Sequence, residues 1–258
     1  MITVRDVEQA LFQWAPKELA AEWDNVGHLV GDPDAEVKKV LVALDITETV
    51  VKEAISIGAD VIVAHHPVMN CAWHPVQHIR SDDAQGRMLI AMIRNGISAI
   101  CMHTNLDAAQ GGVNDALAEK LGLCDLELLN EEKIGRIGTL KSQLPLVDFV
   151  GFVVKSLGCN GLRYVDAGKP VHRVAVGGGA CSGYISQAIA AGCDTFVTSD
   201  LKYNDFLDTA GINLVDAGHF PTENVVTPVV AAYLRKMFTA LNVVHSTAHD
   251  CEVIQYCI

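Results

Sequence analysis

The sequence is short of positive charge, of aromatic residues and of long apolar runs. It has 19 lysines and arginines against 31 aspartates and glutamates, and 6% of its residues are aromatic. Sequence-independent binding to nucleic acid depends on clustered lysine and arginine, so we do not expect this class of partner. No uninterrupted apolar stretch approaches the length of about 20 residues that a transmembrane helix needs, so we do not expect a membrane protein.

Two further patterns are missing. The first residues, MITVRDVEQALFQW, do not combine a basic segment with an apolar core, so we expect no secretory signal. The eight cysteines contain no C-x-x-C pair. Scattered cysteines in a chain of this size are typical of reduced thiols in a cytosolic protein. We therefore expect a cytoplasmic location.

The chain has 258 residues, of which 50% are hydrophobic, enough to bury a substantial core. KVLVALD (39–45) predicts a buried strand, Thr47 can cap the helix that follows, and Gly58 stands where that helix would end. DVIVAH (60–65) predicts a second strand. Two strands joined by a helix are expected to be parallel, with a right-handed crossover.

The same pattern returns 134 residues later, because residues 39–70 align without a gap with residues 173–204. A second pair of segments, 95–107 and 210–223, shares a Gly-Ile strand start followed by a histidine and a carboxylate. We infer an internal repeat and an α/β fold of two similar halves. The halves are predicted as residues 1–125 and 126–258, with an approximate boundary and the option that the chain crosses between them. The region 126–170 is interpreted as a less regular connection around a helix at 145–157.

Three predicted strand ends carry residue types that bind metals. They are the pair His65-His66, His103 with Asp107, and His219 with Glu223. Ligands of parallel α/β sheets gather at the carboxyl ends of the strands, and imidazole and carboxylate suit Zn²⁺, Fe²⁺ or Mn²⁺. Adjacent residues that leave a strand project in different directions, so the histidine pair is better suited to two neighbouring ions than to one. The pattern therefore predicts a dinuclear site of the kind found in two-metal hydrolases.

Weaker patterns leave alternatives open. The glycines at 177–179 follow a strand and either approach a phosphate or form a tight turn, which we favour because the G-x-G-x-x-G spacing is absent. His74 and His78 either line a cleft or are solvated loop residues. His245 and His249 have a zinc-binding spacing for a helix, but their setting indicates a strand and a turn.

Four motifs are recognisable together: AEWDNVGHLVGDP, VIVAHHP, HTNLDAAQGGVNDALAEKLGL and AGHFPTE. They resemble the NGG-interacting-factor-three-like family, also called GTP cyclohydrolase I type 2, over essentially the whole chain. The chain looks like the short form, without the domain that some relatives insert between the halves. The resemblance implies two similar α/β halves facing a metal-containing cleft, and a homo-oligomer, usually a hexamer.

The resemblance also implies a ligand set for two divalent metal ions, zinc, iron or manganese. His65 and His219 would bind one ion, His66 and Asp107 the other, and Glu223 would bridge them. His103 matches a position beside the metals, where it would either support the ligands or transfer a proton. The chain departs from the family at His28, which either adds an imidazole to the cleft or is tolerated at a surface turn.

The activity implied by the resemblance is that of a metal-dependent hydrolase. A metal-bound hydroxide would attack a small-molecule substrate, and the family name suggests opening of the guanine ring of GTP. Only Lys202 and Arg163 stand out as contacts for a triphosphate. The alternative is a non-catalytic protein that binds metals or a partner.

Overall fold

The computed structural model describes residues 1–70, 76–208 and 211–257. The helices, in chain order, are α1 (Val4–Trp14), α2 (Glu48–Ile57), α3 (Ala84–Arg94), α4 (Thr104–Ala108), α5 (Val113–Lys120), α6 (Leu146–Leu157), α7 (Ile185–Ala190), α8 (Tyr203–Leu207), α9 (His219–Glu223) and α10 (Thr227–Met237). The strands are β1 (Gly27–Val30), β2 (Lys39–Ala43), β3 (Val61–Ala64), β4 (Ser98–Cys101), β5 (Cys124–Leu128), β6 (Arg136–Leu144), β7 (Arg163–Val165), β8 (Val171–Val176), β9 (Thr195–Thr198), β10 (Asn213–Asp216) and β11 (Asn242–His245). Short 3-10 turns lie at Lys17–Leu19, Ser182–Tyr184 and Asn224–Val226.

The chain forms two compact units. The first contains Met1–Ala109 and Thr227–Asp250, and the second contains Gln110–Val226 and the segment from Cys251 onward. This division differs from halves at 1–125 and 126–258, because the chain returns to the first unit near its end. The physical reason is strand β11, which pairs in parallel with β2.

The first unit is built on a five-stranded sheet in the order β1-β4-β3-β2-β11. All strands are parallel except β1, which runs antiparallel to β4 at one edge. Side chains from one face of this sheet pack with α2 and α3 in a buried cluster that includes Leu41, Ile62, Leu89 and Met92. The parallel arrangement places the ends of β2, β3, β4 and β11 at one edge of the sheet.

The second unit is built on a six-stranded sheet in the order β5-β6-β8-β9-β10-β7. Its centre, β8-β9-β10, is parallel, and the flanking strands are antiparallel. Alternate residues serve two clusters: Val174 and Val197 pack with helix α6, whereas Ala175 and Phe196 belong to a separate buried cluster. The sheet is thus covered on both faces, as a parallel α/β sheet requires.

The predicted repeat is confirmed as two β-α-β units with parallel strands. Their registers agree: Val40 pairs with Val61, and Val174 pairs with Thr195, each position exactly 134 residues further along. The helix ends follow the expected local chemistry in the first copy. The hydroxyl of Thr47 accepts a hydrogen bond from the third residue of α2, and Gly58 ends this helix at φ 65°.

Equivalent aspartates fix the first strand in both copies of the repeat. The carboxylate of Asp60 accepts hydrogen bonds from two successive backbone N–H groups at the start of β2, at 2.7 and 2.8 Å. The carboxylate of Asp194 does the same near the start of β8, at 2.9 and 2.7 Å. The aspartate that the two copies share in sequence therefore has the same structural role in both.

The region 126–170 is more regular than the sequence suggests, because β6 and β7 join the second sheet on either side of its parallel centre. Within the described ranges, no helix is both long and apolar enough to cross a membrane. No disulfide joins the cysteines of that same part of the chain.

Candidate metal centre

His65 is the first residue after β3 and is almost fully buried. Its Nδ1 lies 2.8 Å from the carbonyl oxygen of Met102. A carbonyl can only accept, so Nδ1 carries the proton and Nε2 keeps its lone pair. That Nε2 lies 3.6 Å from Oδ1 of Asp107, which belongs to the short helix α4. Two of the three predicted ligands of the first unit, His65 and Asp107, therefore present their donor atoms to each other.

His66 follows immediately and is held by a carboxylate instead of a carbonyl. Its Nδ1 lies 2.6 Å from Oδ1 of Asp45, in the loop that follows β2, and the second oxygen of Asp45 lies 2.8 Å from Nε2 of His249. Burial alone would raise the pKa of Asp45, but the hydrogen bonds from His249 and His66 hold it well below its usual range. An ionised Asp45 fixes His66 with Nδ1 protonated, which makes Nε2 the nitrogen that would face a metal.

His103 is the residue just before α4, and a third carboxylate holds it. Its Nδ1 lies 2.9 Å from Oδ1 of Asp24, whose other oxygen accepts hydrogen bonds from the backbone N–H and the hydroxyl of Thr104, at 3.0 and 2.5 Å. Burial raises the pKa of the Asp24 carboxyl, but these hydrogen bonds and the charge of His103 outweigh it and bring the pKa down to about 2. Sequence reasoning missed Asp24 as a site residue, although it lies inside the motif AEWDNVGHLVGDP.

The three imidazoles of the first unit form one cluster. One nitrogen from each of His65, His66 and His103 lies within 4.8 Å of the others. The ring centroids are separated by 5.0 to 5.6 Å. This spacing allows the nitrogens to share a cation. It also places His103 close enough to exchange a proton with a group bound there.

In the second unit, His219 and Glu223 lie at the two ends of α9. Nδ1 of His219 lies 2.5 Å from Oδ2 of Asp200, and its Nε2 lies 3.1 Å from Oε2 of Glu223. Burial would lower the pKa of His219, but hydrogen bonds to the two carboxylates raise it to about 11. Two anions around one imidazole create a strong preference for a cation, which a proton or a metal ion can satisfy.

A glycine turn makes room for Glu223. Gly179 adopts a φ of +66°, and a Cβ there would lie 2.1 Å from Oε1 of Glu223 and 3.3 Å from Nε2 of His219. Hydrogen bonds fix the turn, since the N–H of Gly178 donates to Oδ1 of Asn114 at 2.9 Å and that of Gly179 donates to the hydroxyl of Thr222 at 3.1 Å. The expected tight turn is thus present, and it forms a cradle for a proposed ligand.

One feature is common to the four histidines of these clusters. His65, His66, His103 and His219 all direct Nδ1 to an acceptor, which is a backbone carbonyl for His65 and a carboxylate for the other three. Metal-binding histidines are usually held in this way, because the outer hydrogen bond fixes the tautomer and the ring orientation. The donor set of imidazole nitrogen and carboxylate oxygen therefore fits a divalent transition metal.

Other candidates lie elsewhere or have different roles. His245 ends strand β11 and its Nε2 lies 2.7 Å from the hydroxyl of Thr227, so the strand setting is confirmed over a zinc-binding helix. His78 is exposed, and His74 lies outside the described residues. His28 lies in strand β1 rather than at a surface turn, because that strand pairs with β4.

The two proposed phosphate contacts differ. Arg163 donates to the carbonyl of Leu201 at 2.8 Å, forms an ion pair with Asp216 and lies over the ring of Phe206 at 5.2 Å. These contacts hold its guanidinium against residues of the second unit. Lys202 is exposed at the start of α8.

Comparisons with known proteins agree with the fold and the motifs. A sequence model of the Duf34/NIF3 (NGG1p interacting factor 3) family matches residues 2–251. The chain is 34% identical over 229 residues to a GTP cyclohydrolase 1 type 2 homolog of Clostridium perfringens, covering 85% of this chain and 86% of that one. A homolog of the same name from Clostridium acetobutylicum is 33% identical over 251 residues, covering 93% and 91%.

Solved structures give the same result. A Bacillus cereus protein related to NIF3 matches with a TM-score of 0.91 at 26% identity, over 98% of this chain and 99% of that one. A Staphylococcus aureus hypothetical protein matches with a TM-score of 0.90 at 28% identity, over 99% of both chains.

Proposed function

The chain belongs to the Duf34/NIF3 family, and from this premise we propose that it is a metal-dependent hydrolase with two divalent ions. The proposed ligands are His65, His66 and Asp107 from the first unit with His219 and Glu223 from the second. His65 and His219 would share one ion, His66 and Asp107 the other, and Glu223 would bridge them.

The arrangement of the imidazoles carries this proposal. Histidines with separate structural roles have no shared reason to use the same ring nitrogen for their supporting hydrogen bond. Metal-binding histidines do, because this bond fixes the tautomer and turns the other nitrogen toward the ion. Three carboxylates and one carbonyl hold the Nδ1 atoms of the four histidines. Nε2 is therefore the nitrogen of each ring that would face an ion or exchange a proton, and in His219 it lies 3.1 Å from the proposed bridging carboxylate of Glu223.

The residues around the ions would have distinct roles. When bound, a pair of divalent ions supplies an ionised water near neutral pH and polarises the bond under attack. His103 would hold and move a proton at Nε2, and Asp24 would orient the ring through Nδ1. No serine or cysteine nucleophile is part of the proposal.

The substrate is proposed to be a small molecule held mainly at the ions. The name of the relatives suggests GTP and a ring-opening hydrolysis. The guanidinium of Arg163 already contacts Leu201, Asp216 and Phe206, which does not favour a cationic pocket for a triphosphate. The second candidate function, a non-catalytic metal-binding protein, needs no such pocket, and an activity screen would distinguish it from the first.

The test is metal analysis followed by a screen. The purified protein, loaded with Zn²⁺, Mn²⁺ or Fe²⁺, should hold two ions per chain and hydrolyse a member of a panel of nucleotides, phosphoesters and peptides. Glu223→Gln should lower the content of both ions, since it removes the proposed bridge. Glu127→Gln, a change of an exposed carboxylate paired with Arg173, should not. Two ions in Glu223→Gln would rule out the bridge, and two ions without any hydrolysis would favour the binding role.

We also propose a homo-oligomer in the cytoplasm, and a hexamer on the basis of the family resemblance. Mean hydropathy is +0.25, and the second unit exposes large apolar side chains, including Leu128, Val147 and Leu207, which are 52%, 66% and 65% exposed. Association would cover such side chains. A monomeric mass in sedimentation at micromolar concentration would contradict the proposal.

A further inference from the structure

The segment after β11 returns to the edge of the sheet where β2 ends. Strands β11 and β2 are parallel, with His245 opposite Val42, and the N–H of Ser246 donates to the carbonyl of Val42 at 2.8 Å. Residues 246–249 therefore start beside the loop that follows β2, and this loop contains Asp45. The segment belongs to the first unit, as do His66 and Asp45.

One carboxylate fixes this segment. Glu53, on helix α2, accepts hydrogen bonds from the backbone N–H of Thr247 at 2.9 Å and from its hydroxyl at 2.9 Å. It also accepts from the N–H of Ala248 at 3.3 Å and from the hydroxyl of Ser246. Four donors on one ionised acceptor hold a stretch that has no helix or strand of its own.

The fixed segment delivers His249 to Asp45. Nε2 of His249 lies 2.8 Å from Oδ2 of Asp45, and Oδ1 of Asp45 lies 2.6 Å from Nδ1 of His66. Both imidazoles are largely buried, with 12% and 14% of their side chains exposed. Each oxygen of Asp45 thus has its own imidazole, and rotation of the carboxylate would break both contacts.

We propose that His249 is a positioning residue for His66, acting through Asp45. His249 holds the Asp45 carboxylate in one orientation, and this orientation sets the plane of the His66 ring and the direction of its Nε2. The proposal deepens the proposed function, and it rests on that function for the role of His66 as a ligand. It gives a role to a histidine that the spacing in HSTAHD alone would have assigned to a separate zinc site.

An internal control exists, because His65 does not depend on this relay. Its Nδ1 donates to the carbonyl of Met102, which belongs to the backbone and does not rotate. Loss of His249 should therefore weaken the ion bound through His66 and leave the ion bound through His65 unchanged. A change that merely loosened the first unit would affect both ions.

The experiment compares four proteins: the full-length wild type, His249→Ala, His249→Gln and His172→Ala. His172 is exposed on strand β8 and serves as the matched control. Chelator competition with Zn²⁺ should show one of two ions bound about 10-fold more weakly in His249→Ala, at the lower end of the effect of losing an outer hydrogen-bond partner. The glutamine amide can still donate to Asp45, so His249→Gln should recover most of the affinity.

Three results would overturn the proposal: unchanged affinities in His249→Ala, equal weakening of both ions, or no recovery in His249→Gln. If the wild type bound no ion, the proposed function would fail instead. Crystal structures of metal-free wild type and His249→Ala would then decide about the relay alone. A His66 ring that turns away from its wild-type orientation in the variant supports the relay, and an unchanged ring and Asp45 carboxylate reject it.

Discussion

The two copies of the repeat share their frame and differ at the ends of their strands. Both pair in the same register and both fix the start of the unit with an aspartate, Asp60 or Asp194. At the offset of 134 residues, however, His66 in the first copy corresponds to Asp200 in the second. Asp200 holds the histidine His219, so the position of a proposed ligand in one copy is the position of its support in the other.

A second exchange occurs at the end of the first strand of each copy. Asp45, which holds His66, corresponds to Gly179, which leaves space for Glu223. The comparison teaches that the frame depends on buried apolar residues and captured backbone N–H groups. The loops at the strand ends carry little of the core, so the two copies can present different chemistry on one frame.

The largest expected effect concerns His103, whose counterpart in the second copy of the repeat is the proposed ligand His219. If it moves a proton, His103→Ala should reduce turnover of the metal-loaded protein by about 10²–10⁴, the usual range for general acid–base catalysis. Metal content should stay at the wild-type level, as in the control His172→Ala. Loss of an ion in His103→Ala would instead make His103 a ligand together with His65 and His66.

The next effect tests Gly179, which stands in the second copy where Asp45 stands in the first. Gly179→Ala places a Cβ 2.1 Å from Oε1 of Glu223, which forces the carboxylate to move. We expect metal affinity to fall by about 10–100-fold, measured by chelator competition, in line with disturbance of a ligand's support.

Gly192→Ala is the matched control for this change. Gly192 has a similar φ of +75°, but a Cβ there meets nothing within 4 Å. Both variants should therefore lose a similar amount of stability through backbone strain, and only Gly179→Ala should lose metal. Equal metal affinity in the two variants would show that the turn does not shape the site.

Much of this arrangement could be predicted from sequence, and the reason is local. Apolar strands, the Thr47 cap and the Gly58 helix end each depend on a few neighbouring residues, so the two β-α-β units were predictable and are confirmed. The histidine and carboxylate positions followed from the ends of those strands, but their joint role as ligands stays a prediction.

The parts that escaped prediction depend on distant pairs. Asp24 meets His103 across 79 positions, and His249 meets Asp45 across 204. No periodic pattern marks such residues, because each is one carboxylate or imidazole in an irregular segment. Strands β5, β6 and β7, which flank the parallel centre of the second sheet, were missed for a related reason. They are held by antiparallel neighbours in the sheet rather than by a repeated local pattern.

A smaller effect tests whether the shared frame is equally important in both copies. Asp60→Ala and Asp194→Ala each leave two backbone N–H groups without their carboxylate acceptor. We expect each to lower the free energy of unfolding by about 1–2 kcal/mol in urea denaturation. The exposed Asp208→Ala should change it by less than about 0.5 kcal/mol. A large loss for only one aspartate would show that the two frames are not energetically equivalent.

The smallest effect is a change of stability with pH of about 1 kcal/mol, and it compares the carboxylates that hold histidines in the two units. The Asp24 side chain is fully buried, whereas Asp200 is 51% exposed. The pKa of Asp24 is lowered in the folded protein from 3.8 to about 2, although burial alone would raise it. A lowered folded-state pKa means that ionised Asp24 stabilises the protein above about pH 4, and that this contribution disappears as the pH falls toward 2.

The shift corresponds to about 2 kcal/mol at pH 7, because one unit of pKa is worth about 1.4 kcal/mol. Asp24→Asn in the metal-free protein should therefore lower the free energy of unfolding by about 2 kcal/mol at pH 7 and by about 1 kcal/mol less than that at pH 3. Asp200→Asn should cost less at pH 7, since solvent screens a half-exposed carboxylate. Urea denaturation of both variants and of wild type at a series of pH values measures this. A cost for Asp24→Asn that stays constant from pH 7 to pH 3 would mean that its charge does not stabilise the fold, and that shape alone holds His103 in place.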